Sequence, residues 1–103
     1  MNQSSTDVFI RLQTWYLAEC NGDWEHSYGI KIDTLDNPGW IVTIDLFETN
    51  WADLTVERQR TDRTEHDWVQ YEIAGARFVG CGGPMNLIEI IEIFFRTIEA
   101  ICS

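Results

Sequence analysis

Three groups of residues have the types and spacing from which chemistry is built. Asp23, Glu25 and His26 put two carboxylates and an imidazole within four positions, a set able to hold a divalent metal or pass a proton. Gly80-Cys81-Gly82-Gly83-Pro84 is a glycine-rich turn opening a helix, where backbone N–H groups can hold an anion and a thiol pKa tends to fall. Asp33, Asp36, Asp45 and Glu48 gather carboxylates around one hairpin, and paired carboxylates can do hydrolytic work. None of the three closes into a catalytic set. His26 has one fellow histidine, His66, in a separate polar stretch, and no HExxH, Cys/His quartet or EF-hand spacing is present. The glycine turn lacks the GK[ST] ending of a P-loop and the GxGxxG of a dinucleotide site, and nothing assigns Cys81 a histidine partner. The preferred readings are a structural or surface role for His26, a tight strand-to-helix connection for 80–84, and a buried thiol for Cys81. The hairpin carboxylates read as a recognition surface. No catalytic residue, metal ligand or cofactor is assigned; a small metal-dependent hydrolase using Asp/Glu and His26 is the alternative.

Such groups need elements to position them. Ser5 or Thr6 can cap a helix over 6–20, and Asp7 suits the positive end of its dipole. Phe9, Leu12 and Tyr16 fall at i, i+3 and i+7, with Val8 and Trp15 beside them and Asp7, Arg11 and Thr14 opposite; Asn21-Gly22 stops the helix. Alternation predicts strands over 29–34 and 42–46, joined by the turn Asp36-Asn37-Pro38-Gly39. Pairing Ile32 with Ile44 and Ile30 with Leu46 gathers the apolar residues on one face. That register sets Lys31 opposite Asp45 and turns Asp33 and Asp45 to water. Residues 54–58 read as a third strand, 58–67 as a polar loop, 68–73 as a fourth strand and 77–80 as a fifth. A last helix runs from Pro84, at its first helical position, to Cys102. Its polar stripe, Glu89, Glu92, Arg96 and Glu99, is narrow, so the wide apolar arc needs cover from the sheet and first helix together or from a second chain. The expected fold is α+β: an N-terminal helix, an antiparallel sheet of about four to five strands starting with a hairpin, and a long C-terminal helix packed on the sheet.

Composition bounds the function. A chain of 103 residues suits one domain, 1–103, and buries roughly 60–70% of its unfolded surface. Seventeen acidic side chains against seven basic ones give a formal charge of −10, with Lys31 the single lysine. That balance argues against direct contact with nucleic acid or an anionic membrane and for cationic or basic protein partners. Cys20, Cys81 and Cys102 are an odd number without a CxxC pair, Met1 to Thr6 is short and polar, and no apolar run approaches the ~20 residues of a membrane span. A soluble cytoplasmic protein is expected. The five tryptophans are mostly core candidates; Trp24 and Trp40 flank turns and are placed as partly exposed anchors.

The ordered series Leu12-Gln13-x-Trp15-Tyr16, Asn21-Gly22-Asp23-Trp24-Glu25-His26-x-Tyr28-Gly29-Ile30 and Thr34-Leu35-Asp36-Asn37-Pro38-Gly39-Trp40 resembles the immunity protein 53 family of bacterial polymorphic toxin systems. Trp24-Glu25 matches its WE motif, Pro38-Gly39-Trp40 its PGW motif, and Gly82-Gly83-Pro84-x-Asn86-Leu87 also fits. The resemblance implies an α+β protein, encoded beside a toxin, that binds and neutralises it in the cytoplasm without catalysis. A nuclease-type toxin with a basic cleft fits the charge. The expected toxin-binding residues are Trp24, Glu25, Asp33, Asp36, Asn37, Trp40, Asp45 and Glu48. A dimeric adaptor, or a homodimer formed through the apolar C-terminal helix, is the remaining alternative.

Overall fold

The computed structural model describes residues 4–102, with side chains for 7–100. The elements are α1 (Ser4–Glu19), α2 (Trp24–Ser27), β1 (Ile30–Leu35), β2 (Gly39–Asp45), β3 (Val56–Thr64), β4 (Asp67–Ile73), β5 (Arg77–Gly82) and α3 (Leu87–Cys102). The strands form one antiparallel sheet in the order β1-β2-β5-β4-β3. Period-two alternation sends Val42, Ile44, Phe78, Val69 and Ile73 to one face, all buried. There they meet Ile90, Ile91, Phe94, Phe95 and Ile98 of α3, and α1 lies against α3. The expected α+β fold is the observed one.

Glycines set how near the two layers come. A Cβ on Gly80 would sit 2.6 Å from Cγ2 of Ile90, and one on Gly82 would sit 3.0 Å from its Cδ1. Real Cβ atoms do not tolerate the first distance, so α3 rests on β5 only because these positions carry no side chain. Aromatic rings fill the junction with α1: Trp15 meets Phe94 at 5.3 Å and Trp24 at 6.1 Å between centroids, both edge to face.

Several expectations are corrected. The hairpin pairs Ile30 with Ile44, Lys31 with Thr43 and Ile32 with Val42, two residues away from the expected register. A shift of two keeps every side chain on its face, so hydrophobic alternation cannot detect it; the turn decides. Only Asp36 to Pro38 turn the chain, and Gly39 already pairs with Leu35. Lys31 therefore does not face Asp45, which pairs with Arg77 on β5. The stretch 58–67 is not a loop: β3 runs through it to Thr64, held by pairing with β4 and by Arg58–Glu72 and Arg60–Asp62 ion pairs. An edge strand wet on most sides has loop-like composition. On α1 the buried residues are Val8, Leu12 and Trp15, while Phe9 and Tyr16 are half-exposed, so its core face is rotated from the expected one. Proposed capping by Ser5 or Thr6 falls on side chains outside those described. The last helix begins at Leu87; Pro84 lies in the turn before it. Most of its apolar arc packs within the chain, with Ile90, Ile91, Ile93, Phe94, Phe95 and Ile98 all buried.

Gly80→Ala is expected to destabilise the protein by about 1–3 kcal/mol in urea unfolding. Gly29→Ala, whose Cβ would meet nothing within 4 Å, should stay within about 0.5 kcal/mol of wild type. Equal effects would mean that the α3–β5 approach is not tight.

Candidate functional site

The WE motif is a closed loop between α1 and α2. Asn21 Oδ1 accepts the backbone N–H groups of Asp23 and Trp24, each at 2.9 Å, and so holds the first turn of α2. Glu25 reaches back, its carboxylate accepting the N–H groups of Asn21 at 3.0 Å and Gly22 at 2.9 Å. Backbone N–H donors, its own first and then those of Asn21 and Gly22, hold the Glu25 carboxyl below the usual carboxylate range. Trp24 is 1% exposed, and its indole N–H donates to the carbonyl of Phe47 at 2.9 Å. It is a core residue that pins the loop after β2, and the placement of Trp24 as an exposed anchor is corrected.

The PGW motif is a clasp at the opposite end of the sheet. Gly39 is buried against the backbone of Gly82, so closely that a Cβ there would overlap the Gly82 carbonyl oxygen. Trp40 is half-buried and donates its indole N–H to the Pro84 carbonyl at 2.9 Å. Beside it, buried Asn86 donates from Nδ2 to Asp67 at 2.9 Å and Glu89 at 3.0 Å, and Arg63 binds the same two carboxylates at 2.9 and 2.5 Å. Arg63, and after it Asn86, hold the Asp67 carboxyl low. The PGW and GGPxN segments thus lock β2 to the start of α3.

The eight expected contact residues do not form one patch. Trp24, Glu25, Asp45 and Glu48 cluster where β2 ends, and Asp36, Asn37 and Trp40 lie at the hairpin turn, one strand length or about 20 Å away. Asp33 stands between them on β1, exposed, as are Asp36, Asn37 and Glu48. Asp45 is not turned to water: its side chain is 18% exposed, bound to Arg77 at 2.9 Å and to the Gly29 N–H at 3.0 Å.

The chemistry-bearing groups are also dispersed. His26 precedes β1 while His66 sits in the β3–β4 turn at the far end, and both are exposed. Among the described residues no three His, Cys, Asp or Glu side chains group as a metal site would need. Cys81 lies within β5, not at a helix start, and burial pushes its thiol up, away from the nucleophilic thiolate.

Sequence reasoning missed the apolar outer side of α1. Ile10 is 53% exposed and Leu17 72%, and Phe9 and Tyr16 join them. Beside Ile10 a groove of about 370 Å³ runs between α1 and α3, lined by Ile10, Arg11, Thr14, Trp15, Trp51, Phe95, Ile98 and Glu99. Trp15 keeps a buried indole N–H there, with no acceptor among the described residues. A signal was available: α1 has apolar side chains on more of its circumference than one core-facing stripe requires.

Two long helices on one face of a five-stranded antiparallel sheet, with the polar side chains of the WE and GGPxN segments engaged in loops and clasps, define a small two-layer α+β protein. The chain belongs to the immunity protein 53 family, whose sequence profile matches residues 9–99. It is therefore an immunity protein, the counterpart of a toxin. No curated protein and no solved structure matches it. No described helix is long and apolar enough to cross a membrane.

Because the folded Glu25 pKa lies below its usual 4.5, its contribution to stability is present above that pH and is lost as pH falls through the folded value. Glu25→Gln should melt a few degrees below wild type at pH 7, with the gap closing on acidification toward pH 3. A gap independent of pH, followed by circular dichroism, would mean that the carboxylate charge does not hold the loop.

Proposed function

We propose that this immunity protein neutralises its cognate toxin in the cytoplasm as a non-catalytic plug, covering a cationic working surface such as the basic cleft of a nuclease-type toxin. The observation that carries the reading is the exposed pair Ile10 and Leu17 on α1, beside the groove between α1 and α3. Large apolar side chains held in water by a rigid helix are what an interface core is made from.

Charge supplies the approach. Arg11, Arg58, Arg60, Arg63 and Arg77 are each paired with a carboxylate, so much of the −10 excess remains on exposed groups such as Asp33, Asp36 and Glu48. Phosphate-binding clefts carry Lys and Arg, and complementary fields raise association rates to ~10⁸–10⁹ M⁻¹s⁻¹ at low salt. Asn37 adds an exposed amide at the hairpin turn. In this reading Trp24, Glu25, Trp40 and Asp45 act indirectly, by holding the loops that present Glu48 and Asn37. A standard interface of about 800 Å² per partner would cover the α1 ridge and part of the acidic surround.

Purified protein and the toxin domain encoded beside it provide the test. Ile10→Asp with Leu17→Asp should lower affinity by about 100-fold while the melting temperature stays within a few degrees. Asp36→Lys with Glu48→Lys should slow association about tenfold at low salt and leave dissociation nearly unchanged. Wild-type affinity in the α1 double variant would remove that helix from the interface.

A further inference from the structure

The two edges of the sheet are unlike. β3 carries exposed charge along most of its length and has register shifts between Val56 and Gln59 and between Asp62 and Thr64, features that keep an edge from pairing. β1 pairs with β2 without a shift from Ile30 to Leu35, contains no proline, and leaves Ile32 39% exposed. It has none of the defences of β3 except two opposite charges, Lys31 and Asp33.

Those charges select a partner. Asp45 N–H donates to the Gly29 carbonyl, which fixes the alternation: Gly29, Lys31, Asp33 and Leu35 turn their backbone groups toward β2. Ile30, Ile32 and Thr34 turn theirs outward. An antiparallel second copy of β1 can then be centred on Ile32, with Ile32 opposite its own mate and Ile30 opposite Thr34. Lys31 falls opposite Asp33 on both sides of the two-fold axis, in the closer-spaced, non-hydrogen-bonded pairs. Sliding by two residues either way sets Lys31 against Lys31 or Asp33 against Asp33. One register is thus attractive and its neighbours repulsive.

We propose that β1 is a dimerisation edge at which two copies of this chain join into a continuous ten-stranded sheet in the Ile32-centred register. The pairing makes roughly six backbone hydrogen bonds and is isologous, as closed dimers require. The helix side of the same flank is apolar and open. Phe9, Gln13 and Tyr16 lie on one side of α1 at spacings of four and three, and a groove lined by Leu12, Gln13, Tyr16, Gly29 and Ile30 separates that side from β1. Phe9 and Tyr16 are 37% and 39% exposed and look toward the second copy. The charge on each copy opposes association, but β1 itself is balanced from Ile30 to Leu35, and charge farther off is screened beyond about 8 Å at physiological salt. With a strand and one helix flank in contact, the interface lies at or below the standard size, and the dimer forms at micromolar concentration. The inference goes beyond the proposed toxin contact and does not rest on it, since that contact centres on Ile10 and Leu17, the next positions round α1 from Phe9 and Tyr16.

Sedimentation velocity from about 5 to about 500 µM tests it. The wild-type protein should pass from 12.0 kDa toward twice that mass. Thr34→Pro, which removes an outward N–H that the fold does not use, should stay monomeric with an unchanged melting temperature. Lys31→Glu should weaken the dimer at least tenfold, and Lys31→Glu with Asp33→Lys should restore it. A monomer at every concentration overturns the proposal, as does a dimer that survives both Thr34→Pro and Lys31→Glu. A wild-type monomer whose toxin affinity falls in Thr34→Pro would give the edge to the toxin and likewise overturn it.

Discussion

The whole molecule depends on how closely α3 can lie on β5. Beyond Phe78, Gly80 and Gly82 leave that strand bare on its helix-facing side, and Ile90 occupies the room they vacate. A helix one methyl group farther away would lose contact with Val42, Ile44 and Phe78 at once, because dispersion falls steeply over fractions of an ångström. α1 has few contacts of its own with the sheet and leans on α3, so its position, and with it the position of every exposed residue on its outer side, follows from the same approach. The ring cluster of Trp15, Trp24 and Phe94 transmits that placement to the loops at the end of the hairpin.

This arrangement changes what the family motifs mean. In the WE motif, Trp24 is sunk in the core with its N–H satisfied, and Glu25 spends its carboxylate on the amides of a turn. In the PGW motif, Gly39 makes room for a neighbouring backbone and Trp40 ties β2 to the segment before α3. Both motifs close loops at opposite ends of one hairpin. They are devices for holding a shape.

The architecture was legible in the sequence because apolar periodicity marks the buried faces of the sheet and of α3, and the strands over 30–35 and 67–73 fall within one residue of where alternation puts them. What alternation cannot resolve is a displacement by its own period, which is why the Ile30–Ile44 register escaped. β3 escaped for another reason: its stability comes from β4 and from arginine–carboxylate pairs far away in sequence, and its own residues are those of a loop. The candidate site was the least legible part. Carboxylates near one another in sequence, such as Asp36 and Asp45, stand at opposite ends of a strand. Ile10 and Leu17 carry no motif or charge that marks them, and only the neighbours of α1 show them to be exposed.

That α3 follows all five strands has a consequence in time. Strands β1 to β5 emerge from the ribosome with the face that α3 will cover still open, and the sixteen residues of Leu87–Cys102 are made after them. At about 5–20 residues per second the sixteen residues of α3 take about 1–3 s to make, and for that interval the sheet has no cover and the core is incomplete.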